Sequence, residues 1–179
     1  MPSWTVTERI VPQPVMRRAN RHDLPRVVEL LQQESLDGEQ REDLGPPLPP
    51  RYYDALAQIE ADPDNDIIVA EMDGHVVGTF QITLIRHLER EAELVAEIES
   101  AVVDEPFRGK GIGGAMMRWA IENARERGCQ RVQLTSNKRR TDAHRFYERL
   151  GFVPGHVGMK LTIAQTSSGA RSTPPGSST

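Results

Sequence analysis

The sequence predicts a single α/β domain, and three observations carry that reading. The chain has 179 residues, a length that suits one domain and leaves little room for two. Its apolar spacing switches between a period of two and a period near 3.6, so strands and helices both occur. A glycine-rich turn, Arg108-Gly109-Lys110-Gly111-Ile112-Gly113-Gly114, separates a strand pattern from a helix pattern. A chain of this size buries a core without metal or disulfide staples. That agrees with a single cysteine, Cys129, which suits a reducing, cytoplasmic compartment.

The elements follow in order. Residues 1–14 hold three prolines and no periodicity, and read as an N-terminal extension. Val15 to Ala19 reads as a first strand. Asp23 offers a helix cap with Pro25 in the first turn. Leu24, Val27, Val28 and Leu31 then lie at i, i+3, i+4 and i+7, on one helix face. The stretch 37–50 is acidic and then proline-rich, so it is a loop. Tyr52, Leu56 and Ile59 mark a second helix, and Asp62 to Asp66 a turn. Ile67 to Met72 and His75 to Ile85 read as two strands joined by Asp73-Gly74, a two-residue hairpin signal. A charged turn over 86–92 leads to a third strand, Leu94 to Val103, completing an antiparallel meander.

Beyond the glycine-rich turn the period changes. Ile112, Met116, Trp119, Ala120 and Ala124 form a helical stripe that Gly128 ends. Arg131 to Thr135 is a strand with Val132 and Leu134 on one side. Thr141 is placed to cap a helix carrying Ala143, Phe146, Tyr147 and Leu150. Phe152-Val153 and Met159 to Ile163 read as the last strands. Residues 164–179, rich in Ser, Thr, Gly and Pro, are expected to form a disordered tail. The domain is therefore expected to span 15–163.

The formal net charge is −4. Mild acidity argues against non-specific nucleic-acid binding. No run of 18 apolar residues crosses a membrane, and the start has no basic-then-apolar signal pattern. The charge is uneven. From Asp104 to Arg145 ten basic residues face five acidic ones, a local +5, while the rest of the chain carries −9. A basic segment in an acidic chain fits either a local anionic ligand or a solvated, salt-paired helix face.

The glycine-rich turn favours the ligand. Free backbone N–H groups at a helix start, together with the positive end of its dipole, bind anions. Glycines admit a phosphate close to the backbone, and Arg108 and Lys110 add charge. A diphosphate fits this chemistry. Gly109, Gly111 and Gly114 spell the dinucleotide-binding G-x-G-x-x-G, and Ser136, Arg139 and Arg140 offer partners for a 2′-phosphate, which would make the chain an NADP-binding oxidoreductase. Against that, Asp104 to Arg108 intervene between strand and first glycine. The next strand also ends without the ribose-binding acid.

A second resemblance is more specific. Arg108, Gly111 and Gly113 resemble the R/Q-x-x-G-x-G/A signature of the GCN5-related N-acetyltransferase (GNAT) superfamily. Ala143-His144-Arg145-Phe146-Tyr147-Glu148-Arg149-Leu150-Gly151-Phe152 resembles its A-x-x-F-Y-x-x-x-G-F ending. The order of elements over about 15–163 resembles that fold as well. The resemblance implies a mixed, mostly antiparallel sheet with helices on both faces. It implies acetyl-CoA as donor, its pyrophosphate held by the amides of Arg108, Gly109, Lys110, Gly111, Ile112, Gly113 and Gly114. It further implies a bulge near Ala101, Val102 and Val103 whose freed backbone groups bond pantetheine and polarise the thioester carbonyl. Ala143 and Phe146 belong to the same donor site. Many members carry an Asn seven residues before the Tyr. Here that position is Arg140, with Asn137 nearby as a substitute, and Arg139 or Arg140 could instead meet a CoA phosphate.

An acceptor amine must be neutral to attack a thioester, which costs about 4.6 kcal/mol at pH 7 for a group with a pKa of roughly 10.4. Glu97 and Glu99 share one strand face roughly 7 Å apart. Their like charges disfavour double ionisation, which suits a general base. The resemblance favours Glu99 as that base, with Glu97 the close alternative; an exposed strand face, or an ion pair with Arg86 or Arg90, is the plainer reading. Tyr147 is the implied acid, protonating the departing CoA thiolate, where core packing beside Phe146 would otherwise explain it. Cys129 reads as a structural thiol, and the five histidines show no metal-ligand spacing. Acceptor choice is expected from the 37–50 loop (Glu39, Glu42, Asp43), from Tyr52 and Tyr53, and from Pro154 to Gly158. The resemblance implies a small-molecule or peptide amine as acceptor and a homodimer as the assembly. The alternative on the same fold is an acyl-CoA-binding sensor without turnover.

Overall fold

The computed structural model describes residues 13–35 and 42–163. The expected N-terminal extension, except Gln13 and Pro14, and the expected C-terminal tail lie outside the described residues, as does Glu39. Five strands form one sheet in the order β1-β2-β3-β4-β5. They are β1 (Val15–Arg18), β2 (Asn65–Met72), β3 (His75–Arg86), β4 (Leu94–Val103) and β5 (Arg131–Leu134). The first three pairings are antiparallel and β4 to β5 is parallel. Sequential hairpins make the antiparallel part, and the single parallel step needs the helical crossover that the change of period announces.

The turn between β2 and β3 has Asp73 at φ 50° and Gly74 at φ 77°. Two positive φ values make it the primed turn whose twist matches the strands. Gly78, which interrupts the β3 pattern, has a packing reason. A Cβ there would stand 2.8 Å from the Met116 sulfur and 3.1 Å from the Val102 carbonyl oxygen.

Helices cover both faces. On one, α1 (Leu24–Gln32) and α2 (Pro50–Ala61) bury Leu24, Val28 and Leu56, with Val27 against Val69. On the other, α3 (Ile112–Glu126) lays Ile112, Met116, Met117, Ala120 and Ala124 on Ile68, Phe80, Ile82, Ala96 and Ile98. The alternation of β2 explains the division, with Ile68 and Ala70 facing α3 and Val69 facing α1. A fourth helix, α4 (Thr141–Arg149), has an apolar side but no fully buried residue.

Three local expectations are corrected. Residues 152–163 form no strand, and Val153 to Ile163 are all exposed. Thr141 is the first helical residue rather than the cap of α4, and Arg140 takes the cap position with no side-chain capping bond. Asp23 stands at the start of α1 but gives its carboxylate to Arg17, at 2.6 and 2.9 Å, and to the Asn20 amide at 2.8 Å. The Arg17 guanidinium on β1, six residues before Asp23, out-competes the helix amides because it offers charge as well as a fork of donors.

Arg17 holds the Asp23 carboxyl below the usual carboxylate range. The folded state therefore binds that proton less readily than the unfolded chain. The stabilisation is complete well above pH ~4 and is lost as pH falls through the folded-state value. Arg17→Met should lower stability by about 1–3 kcal/mol at neutral pH. The deficit should shrink in acid, as read from urea unfolding at two pH values. A deficit constant with pH would show that the pair contributes nothing.

Candidate active site

The site is opened by the sheet itself. The β4–β5 pairing runs from Val95↔Arg131 to Ile98↔Leu134. There β5 ends, while β4 continues to Val103. Past Ile98, the β5-facing backbone of β4 has no strand partner. At the same place β4 is bulged against β3: Gln81 pairs Glu99 and Thr79 pairs Val102, so Ser100 and Ala101 together oppose Phe80. Ser100 has φ 50°. The bulge expected near Ala101 to Val103 thus starts slightly earlier. Its position keeps Glu97 and Glu99 in regular alternation on the α1/α2 face, because the slip comes after both.

Around those carboxylates the face is polar. Glu97 lies opposite Thr83 and Glu99 opposite Gln81. The Gln81 amide and the Thr83 hydroxyl both donate to Asn65 Oδ1, at 2.9 and 3.2 Å. Gln133 on β5 donates to Glu97 at 3.4 Å. Glu97 is half-buried and Glu99 exposed. Arg86 is engaged elsewhere, donating to the Ala92 carbonyl at 2.8 Å.

Beyond β4, a 3₁₀ turn (Glu105–Phe107) delivers the chain to the glycine-rich loop. Gly109 and Gly111 have φ of 74° and 83°, and among the described residues nothing beyond the adjoining chain lies within 4 Å of a Cβ built at either. Gly111 caps α3 in the left-handed region, and its lack of a side chain leaves the first helix amides without a capping bond from the cap residue. The first helical bond runs from the Ala115 amide to the Gly111 carbonyl at 3.0 Å. The amides of Ile112, Gly113 and Gly114 precede it, at the positive end of a helix of 15 residues. The loop is therefore a concave run of donors with space in front of it, which fits a diphosphate. Gly113 lies where α4 packs on the loop. A Cβ there would make ordinary van der Waals contact with Phe146, at 3.5 Å, and with Val103, at 3.6 Å.

Helix α1 reaches the same place. Buried Asp104 accepts from Arg26 and, at 2.9 Å, from Gln33. The Gln33 side-chain oxygen Oε1 accepts the Glu105 amide at 3.1 Å, and Arg108 donates to the Val103 carbonyl at 2.9 Å. The loop is thus clamped at its base while its glycines stay open. Arg26, Gln33 and Asp104 were not among the residues the sequence singled out. Their pairing spans more than 70 positions, and no local pattern announces it.

On α4, the Tyr147 ring packs edge-on between Phe146, at 5.1 Å, and Phe152, at 5.7 Å. Burial and the nearby Glu34 carboxylate push its phenol up, against a smaller opposing effect of Arg140. The hydroxyl therefore keeps its proton at neutral pH. Arg140 reaches across to the end of α1, bonding the Glu34 carbonyl with its guanidinium 3.9 Å from the Glu34 carboxylate. Asn137 closes its own turn, with its side-chain oxygen on the Arg139 amide at 2.9 Å. Ala143 is half-buried on the same helix. Cys129 is half-buried too, and burial pushes its thiol up, as suits a structural cysteine.

A split parallel pair, a bulge beside it, a glycine-rich loop and a Tyr helix thus converge on one end of the sheet. The family model described as the Acetyltransferase (GNAT) family matches residues 28–152. The chain belongs to the GNAT family. Among GNAT relatives, it is 37% identical over 105 residues to the aminoalkylphosphonate N-acetyltransferase of Salmonella typhimurium, covering 59% of this chain and 68% of that one. It is 31% identical over 163 residues to the N-acetyltransferase YjgM of Escherichia coli, covering 86% and 96%. A transcriptional regulator from Bacillus halodurans C-125 has the same fold, with TM-score 0.80 and 39% identity over 84% of this chain and 100% of that one. The GNAT membership makes this chain an N-acetyltransferase, and with it an acyltransferase enzyme. Among the described residues no helix is long and apolar enough to cross a membrane.

Proposed function

We propose that the chain uses acetyl-CoA to acetylate a primary amine by direct attack within a ternary complex. The observation that supports this best is the open loop at 109–114, whose uncapped amides suit a pyrophosphate. The amides of β4 past the bulge, from Ala101 to Val103, suit the pantetheine arm, with Ala143 and Phe146 forming the opposite wall. Acetyl-CoA supplies the acyl group as a thioester. Glu99, at the mouth of the split, takes the proton from the acceptor ammonium, and Glu97 behind it is the alternative base. Tyr147 gives its proton to the departing thiolate. Its raised phenol makes it a proton donor at neutral pH, and a thiolate of pKa near 8.5 is basic enough to be protonated as it leaves.

Asn137 and Arg140 keep supporting parts in this reading. Asn137 shapes the turn beside the arm, and Arg140 ties that turn to α1. The acceptor is a small amine. The likeness to an enzyme named for aminoalkylphosphonates makes amines that also carry a phosphonate or phosphate the first to try, and the local excess of basic residues suits them. The lone, half-buried cysteine fits the reducing cytoplasm.

Calorimetry with acetyl-CoA and NADPH, followed by thiol release over an amine panel, tests this. Tyr147→Phe should keep acetyl-CoA binding and lower kcat by about ten- to a hundredfold. NADPH binding without acetyl-CoA binding would overturn the reading. Acetyl-CoA binding without turnover on any amine would turn it into an acyl-CoA sensor.

A further inference from the structure

When Tyr147 acts as the acid, a charge is left behind. The C–S bond of the thioester breaks, and the sulfur leaves with the electron pair and takes the proton from the phenol oxygen. A phenolate remains until water restores its proton. A phenol near 10 gives its proton to a thiolate near 8.5 only against an equilibrium of about thirtyfold. The surroundings of the ring steepen that. Phe146 and Phe152 meet it edge-on, and Val132, Leu134 and Leu150 pack with it on the α3 core. An anion in such a layer is costly unless a cation faces it.

Arg140 is placed to be that cation. It lies seven residues before Tyr147, two turns back on the same side of α4. Aromatic side chains on a helix lean toward its N-terminal end, which here is the end that Arg140 caps. Ala143, between them on that stripe, is small and leaves room. The half-buried guanidinium donates to the Glu34 carbonyl oxygen and stands 3.9 Å from the Glu34 carboxylate. A charge-assisted bond is about 2.7–2.9 Å long. The guanidinium is thus braced on the end of α1 by a neutral group, without its charge being cancelled by a close carboxylate.

The other charged groups nearby are turned elsewhere. On α4, His144 meets the Asn137 carbonyl at 3.0 Å and Arg145 faces Asp142 at 3.6 Å. On α1, Glu29 pairs with Arg26 at 2.6 Å, and on α3, Glu122 pairs with Arg125. On β5, Arg131 pairs with Glu93 at 3.2 Å, and Glu97 and Glu99 lie on the α1/α2 face. Glu34 and Arg140 are the charges the phenol feels, Glu34 pushing it up and Arg140 pulling it down.

We propose that Arg140 is a positioning residue for acetyl transfer, its guanidinium held on the end of α1 so as to steady the phenolate left on Tyr147 when the thiolate takes its proton. This rests on the reading of Tyr147 as the acid.

Titration of tyrosine absorbance in the free protein tests it. The chain has three tyrosines, so the difference from Tyr147→Phe isolates this one. Arg140→Met should move the Tyr147 titration to higher pH, and Glu34→Gln, which keeps the bracing carbonyl, should move it to lower pH. Arg140→Lys keeps the charge and should leave it near the wild type. In turnover, Arg140→Met should lower kcat and kcat/KM together by about tenfold, with acetyl-CoA affinity retained by calorimetry. A bridge that only fastens α1 to α4 predicts something else: both substitutions loosen the layer, and the titration falls in both. Titrations that move the same way, or not at all, overturn the proposal even where Tyr147→Phe lowers kcat and the acid is upheld. If Tyr147→Phe leaves kcat unchanged, the acid is another group, and the proposal falls with that reading.

Discussion

Gly111→Val should weaken acetyl-CoA binding by at least about a hundredfold, measured by calorimetry. Gly111 has φ 83° and opens α3. A β-branched residue is strained by about 1–3 kcal/mol in that region. The chain relieves the strain by rotating out of it, which re-aims the amides of Ile112, Gly113 and Gly114 away from a shared focus. The loss is of geometry, because no neighbouring atom lies where the new Cβ would go. Gly128→Val is the control. Gly128 has φ 78°, also with open space around it, at the far end of the same helix. It should cost similar stability and leave binding unchanged. Equal effects of the two substitutions on binding would mean that the loop does not hold the diphosphate.

Glu99→Gln should lower kcat by about 10²- to 10⁴-fold if it is the base, the range for a positioned proton acceptor. The acid limb of the kcat/KM profile should disappear with it, since that limb reports a free-enzyme group that must lose its proton. Acetyl-CoA affinity should not change, because the carboxylates lie on the α1/α2 face and the loop lies past the bulge. Glu97→Gln separates the alternatives. Glu97 already accepts from Gln133, so as a supporting residue its loss should raise KM more than it lowers kcat. If instead Glu97→Gln removes the acid limb and Glu99→Gln does not, the two roles are exchanged. If neither substitution moves kcat by tenfold, the base is elsewhere.

These expectations join two kinds of information. The glycines of the loop, the Phe146-Tyr147 pair and the Glu97/Glu99 alternation are local patterns. Each works through backbone dihedrals or side-chain period, which neighbouring residues fix, so each is legible one stretch at a time. The Asp73-Gly74 turn and the change from strand to helix period after Val103 are of the same kind. The C-terminal stretch shows the limit. Its alternation is plain, but a strand exists only when another strand bonds its backbone, and among the described residues 152–163 pair with none.

The sequence by itself determined the meander, the crossover helix, the glycine-rich turn between them and the family, because turn chemistry and apolar period act over a few residues. Only the tertiary structure decided where β4 parts from β5, that Arg26 and Gln33 clamp Asp104 at the base of the loop, that Arg140 engages Glu34, and that Arg17 takes the carboxylate expected to cap α1. The parting of β4 from β5 depends on where pairing between distant stretches stops, and the other three are contacts between groups of opposite charge or matching hydrogen-bonding capacity, brought together from distant positions or in place of a local partner. Which of several suitable partners a side chain takes is settled by packing, and packing belongs to the folded chain.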